Sequence, residues 1–213
     1  MLDFSKTKRE RGFTLVELAI VLVIIGILIG GIIKGQEMIN NAKIKRAYSA
    51  QKEISAAIYT YYDRFGKFPG DDNTATTRWP GTYNGDGDGI IEGGATGTDA
   101  APGAMFICAA NTASESCAIW EHLRLAGIIS GTATAGQGRV NPTNPYGGTI
   151  GVANNAVSGL TVNWIGLSRI PENVCQSIDL QNDDGNAILG SIRNLAAFTP
   201  AITETPRSQF FKF

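Results

Sequence analysis

Three groups of residues in this 213-residue chain could do chemistry, and each implies a different kind. The first is a single carboxylate, Glu17, set inside residues 13–33, where every other residue is apolar, Gly or Thr. Unpaired near the middle of a bilayer it would cost about 2.5–3.5 kcal/mol, so it needs a partner. The second is Asn84, Asp86 and Asp88 at alternate positions, followed by Gly89 and then Glu92. Oxygen side chains at positions 1, 3 and 5 with glycine at 6 form the first half of a calcium loop. The second half departs from that pattern: position 12 is Ala95, leaving Glu92 at position 9 to contribute directly or through water. Asp71 and Asp72 are candidate ligands from outside the loop. The same residues suit a plain turn, so calcium and no metal both stand. The third group is Cys108, Cys117 and Cys175, which cannot all pair within one chain. Cys108 and Cys117 enclose a short polar loop that a bridge closes readily, which favours that pair, although Cys175 could take either partner.

Catalytic patterns are absent. No glycine loop with lysine cradles a phosphate, no nucleophile elbow occurs, and the single histidine, His122, excludes a two-histidine metal site. His122 lies in a helical stretch and reads as a surface or half-buried residue. Asp179, Asp183 and Asp184 offer either a second cation site or a solvated turn. The formal charge is only -1, which predicts no basic surface for nucleic acid.

The elements that must position these groups begin with one long helix. Residues 13–33 would span roughly 31 Å as a helix, enough to cross a bilayer. Lys6, Lys8, Arg9 and Arg11 precede it and should stay cytoplasmic. Beyond the apolar run, Met38, Ile39, Ala42, Ile44, Tyr48, Ile54, Ile58, Tyr61 and Phe65 continue at three- and four-residue intervals, with Gly66 and Pro69 as stop signals. One helix to about residue 66 is predicted.

A short basic leader ending in Gly12, then Phe13, Thr14, Leu15, Val16, Glu17 and a long apolar helix, resembles the prepilin leader of type IV pilins and type II secretion pseudopilins. The resemblance implies cleavage between Gly12 and Phe13 by a membrane-embedded prepilin peptidase, and N-methylation of Phe13. It also implies that Glu17 pairs with the Phe13 amine, most naturally that of a neighbouring subunit. Removing 12 residues leaves 201, with a charge near -3 because the leader carries four basic and two acidic residues.

Behind the helix, a short helix from Ser114 to Gly127 with Ile119, Trp120, Leu123 and Leu125 for the core is expected. Strands follow at residues 149–152 and 160–167 with a turn at Asn154-Asn155, then a helix from Pro171 and a tail whose Phe210, Phe211 and Phe213 dock as an edge strand or subunit contact. The expected fold is α+β, the type IV pilin fold: a long N-terminal helix on a head with an antiparallel sheet. Its parts are a leader (1–12), a membrane or filament-core half-helix (13–35), an amphipathic half (36–66) and a head (67–213). The resemblance implies a non-enzymatic subunit of an extracellular filament. Its partners would be further copies of itself, the prepilin peptidase, the assembly machinery and the inner membrane before assembly. A minor pilin or pseudopilin is the near alternative, and a membrane-tethered adhesin or calcium-binding module that does not polymerise is the distant one. No cofactor is required, and calcium is the one candidate.

Overall fold

A computed structural model describes residues 12–93, 103–198 and 206–213. The leader up to residue 11, Ala95 and the tail residues 199–205 lie outside the described residues. Helix α1 runs Leu15–Phe65. It ends where the glycine signal put it: Gly66 takes φ +69 and its N–H donates to the Tyr62 carbonyl at 2.7 Å. Only a residue without a Cβ adopts that left-handed conformation at low cost.

The chain forms two compact units, Met1–Ala42 and Lys43–Phe213. In the first, every large apolar side chain from Phe13 to Ile33 is at least 44% exposed. Met38 and Ile39 belong to this unit and are exposed too, so the buried stripe is shorter than its sequence pattern. In the second, α1 buries Ala47, Ala50, Ile54, Ala57, Ile58 and Tyr61 in one core with Val152, Ile165, Leu167 and Phe211 of the sheet. Each fully buried Ile or Leu there contributes about 1.5–3 kcal/mol.

Strands β1 (Ile150–Val157) and β2 (Leu160–Pro171) form an antiparallel hairpin from Ile150 opposite Leu167 to Val157 opposite Leu160. Its turn is Ser158-Gly159, not Asn154-Asn155. Ser158 and Gly159 have φ 47 and 80, the paired positive values a two-residue hairpin turn demands. The two asparagines stay in the strand because their polar groups find partners: Asn154 Nδ2 donates to Asn163 Oδ1 at 3.0 Å, and the Asn155 carbonyl accepts from Trp164 Nε1 at 2.9 Å.

The tail differs from expectation as well. Strand β4 (Pro206–Lys212) pairs with β2 on one side and with the short β3 (Ile192–Asn194) on the other, giving the order β1-β2-β4-β3. It is an inner strand, and β3 is the edge. Alternation along β4 sends Phe211 to the α1 face, with its ring 6.1 Å from that of Tyr48. Phe210 goes to the opposite face with Met105, Ala153, Val157 and Trp164.

Two further helices flank the sheet. After the short helix α2 (Ala75–Arg78), α3 (Glu115–Leu125) buries Ile119, Trp120 and Leu123 completely, while Leu125 is half-buried. Ser114 holds the cap position, but its hydroxyl meets Ser116 Oγ and caps nothing. Helix α4 (Glu172–Asn182) begins after Pro171, as expected, and buries Val174, Cys175 and Ile178. Cys108 and Cys117 are bridged, with Cα atoms 5.4 Å apart, and Cys175 is buried and unbridged. Burial pushes the Cys175 thiol up to about 12, so it exposes no reactive thiolate. Reducing the bridge should therefore cost about 2–3 kcal/mol of stability, the loop-closure value for a loop this short. Thermal unfolding with and without reductant checks it, and equal melting temperatures would contradict the assignment of a stabilising role.

His122 proves fully buried, not half-exposed. Its Nδ1 accepts the Gly70 N–H at 2.9 Å and its Nε2 faces the Tyr83 carbonyl at 2.8 Å, an arrangement that needs the neutral ring protonated on Nε2. Burial lowers its pKa; the Tyr83 carbonyl, Asp72 and Glu121 pull the other way, and Arg78 adds to the lowering. A depressed folded-state value means the unfolded chain takes up the proton first as pH falls below about 6.5, so this residue's contribution is present above that pH and lost below it. Proton NMR of the only histidine should give a midpoint below 6.5; a midpoint above it would refute the buried neutral ring.

Candidate processing and assembly site

Gly12 and Phe13 lie just ahead of α1, and Phe13 is 83% exposed. A Cβ on Gly12 would meet no atom within 4 Å. Among the described residues, packing therefore places no demand on glycine here.

Glu17 sits in the first turn of α1. Its Oε2 accepts both the Thr14 N–H and the Thr14 hydroxyl at 2.8 Å, while Thr14 Oγ1 accepts the Glu17 N–H at 3.2 Å. This reciprocal pair is a capping box, in which two backbone donors of the first turn are satisfied by side chains. Thr14 supplies the cap, and Thr-x-x-Glu before an apolar run is the signature of this arrangement in sequence. Within the chain, then, Glu17 caps its own helix. One carboxylate oxygen faces the amide of the residue after Phe13, so a cation arriving at the Phe13 end meets a carboxylate already oriented.

The acidic loop is arranged differently from a calcium loop's first half. Asn84 Oδ1 accepts the Thr76 N–H at 2.8 Å and is committed to α2. Asp86 and Asp88 each accept an amide two residues on, Asp88 N–H at 3.1 Å and Ile90 N–H at 2.7 Å. Asp86 does converge with Asp71 and with Glu115, one oxygen of each lying within 4.8 Å of the others. Asp71 accepts the Gly87 and Gly89 amides at 2.6 and 2.9 Å, and Glu115 accepts those of Asp86 and Glu92 at 3.0 Å each. Two buried carboxylates thus hold the loop by four backbone donors. A Cβ on Gly85 would collide with the Asp71 backbone, its carbonyl carbon 2.6 Å away, which explains the glycine. Burial raises the pKa of both, Glu115 to about 7, against the amide bonds that lower it and with help from the neighbouring carboxylates. Glu115 lies far from the loop in sequence, so no local pattern could have revealed it.

Asp72, the other expected outside ligand, turns away from the loop. It is wholly buried and accepts Tyr61 OH at 2.7 Å, the Thr74 N–H at 2.9 Å and the Thr74 hydroxyl at 2.8 Å, and pairs with Arg78. The Arg78 guanidinium in turn stacks 4.5 Å from the Phe65 ring. Burial alone would raise the Asp72 carboxyl, but Tyr61, Thr74 and Arg78 together hold it below its ordinary value.

A capped apolar N-terminal helix whose continuation packs on a four-stranded antiparallel sheet has the α+β, pilin-like architecture, and the helix is long and apolar enough to cross a membrane, which fits a membrane-anchored precursor. Residues 7–33 match the family model of the prokaryotic N-terminal methylation motif. Comparison with curated proteins and with solved structures gives no match. That motif, with the long helix on an antiparallel sheet, supports a type IV pilin-like or pseudopilin protein, a family of structural proteins.

Proposed function

We propose that this protein is a filament subunit, cut between Gly12 and Phe13 by a prepilin peptidase and assembled through its apolar helix into an extracellular type IV pilus. The observation that carries this reading is the exposed apolar half of α1, with Glu17 as its one charge inside residues 13–33. Such a surface is stable in a membrane before assembly and among copies of itself afterwards. Glu17 then serves twice, capping its own helix and receiving the Phe13 amine of the next subunit.

The test is mass spectrometry of filaments sheared from the producing cells. A dominant species beginning at methylated Phe13 supports the proposal. A cleaved form confined to the envelope moves the protein to the minor pilins or pseudopilins, and an uncleaved one defeats the reading.

A further inference from the structure

The corner between α4 and β3 holds three carboxylates, Asp179, Asp183 and Asp184, each with an oxygen within 4.8 Å of the other two. Two oxygens bound to one calcium at about 2.4 Å can be no farther apart than about 4.8 Å. Spacing alone would not distinguish this group from the one around Asp86. What distinguishes it is Asp179: its side chain is wholly buried, and neither of its oxygens meets a hydrogen-bond donor.

Every other buried carboxylate among the described residues is answered. Asp71 and Glu115 accept backbone amides, Asp72 has Tyr61 and Arg78, Glu121 has Arg139 at 2.6 Å, and Glu172 has Arg207 at 3.0 Å. A buried, unpaired carboxylate is strongly unfavourable, and like charges beside it make it more so. Among the described residues no Lys or Arg pairs with Asp179, Asp183 or Asp184. Burial first, then the Asp184 and Asp183 charges, push Asp179 up to about 6; the Gly185 amide acts in the opposite sense without reaching hydrogen-bond geometry.

We infer that this corner binds a divalent cation, calcium, through Asp179, Asp183 and Asp184. The scaffold is already set. Asp183 Oδ2 accepts the Ser191 and Ile192 amides at 2.6 and 2.7 Å, and Asp184 Oδ1 accepts the Asn186 amide at 2.8 Å. Gly185 at φ +74 makes the turn that brings the acids together. All-oxygen donors of high negative charge suit a hard cation, and the irregular turn suits calcium's flexible coordination better than the strict octahedron of magnesium. Bound there, the ion ties the end of α4 to the edge strand β3.

The experiment is a calcium titration of the full chain in nonionic detergent after chelation, followed by calorimetry and by melting temperature. A single saturable site is expected, with a Kd of about 10⁻⁴–10⁻³ M, as in extracellular calcium modules. The melting temperature should rise by about 3–5 °C at ten times that Kd. Asp179→Asn should raise the calcium-free melting temperature and abolish the calcium-dependent rise. Asp184→Asn keeps the acceptor for the Asn186 amide at an exposed position, so it should fold normally and weaken binding by about tenfold. Asp86→Asn should leave the response intact. Absence of saturable binding, a response unchanged in Asp184→Asn, or a response lost in Asp86→Asn would each overturn the assignment.

Discussion

Glu17→Ala should remove the protein from filaments while leaving the head folded. The substitution deletes the only charge within residues 13–33, and with it the group proposed to receive the Phe13 amine of the next subunit. A charge pair in a low-dielectric surrounding loses on the order of 3 kcal/mol when one member is truncated, roughly a hundredfold in subunit association. The capping box complicates the interpretation, because alanine also releases the Thr14 amide and hydroxyl, at about 1 kcal/mol. Glu17→Gln separates the two effects: glutamine can complete a capping box but carries no charge. If both variants disappear from sheared filaments, the carboxylate charge sets assembly. If Glu17→Gln assembles as the wild type does, only the cap matters and the proposed pairing fails. Thermal unfolding of the head should be unchanged in both, since Glu17 belongs to the unit that ends at Ala42.

Asp72→Ala should be the most damaging single change in the head. Asp72 joins the end of α1 to the segment that follows it, accepting from Tyr61 and Thr74 and pairing with Arg78. Removing it leaves a buried tyrosine hydroxyl and a partly buried guanidinium unanswered, a loss of about 3–5 kcal/mol. For a domain of this size that lowers the melting temperature by roughly 10 °C. Tyr61→Phe, which deletes one donor and leaves Arg78 and Thr74 in place, should cost only about 1–2 kcal/mol. Near-UV circular dichroism of the full chain distinguishes these. A shift below about 2 °C for Asp72→Ala would mean the network is solvated and contributes little.

The sequence by itself determined what depends on near neighbours along the chain. The apolar run, its single acid, the glycine stop after Phe65 and the closing of Cys108 onto Cys117 are local patterns whose physical consequences follow from helix geometry and loop length. Even the Thr14–Glu17 box was legible there, three residues apart. Tertiary structure decided whatever depended on partners distant in sequence. Asn154 and Asn155 resemble turn residues until Asn163 and Trp164 satisfy them in a strand, and the phenylalanine tail resembles an edge until Ile192–Asn194 arrives on its far side. Asp71 and Asp72 are adjacent in the chain, yet one holds the acidic loop and the other anchors α1. Asp179 is a polar residue near a turn in sequence and an unanswered charge in the fold, because burial and the absence of a donor are properties of the packed molecule alone.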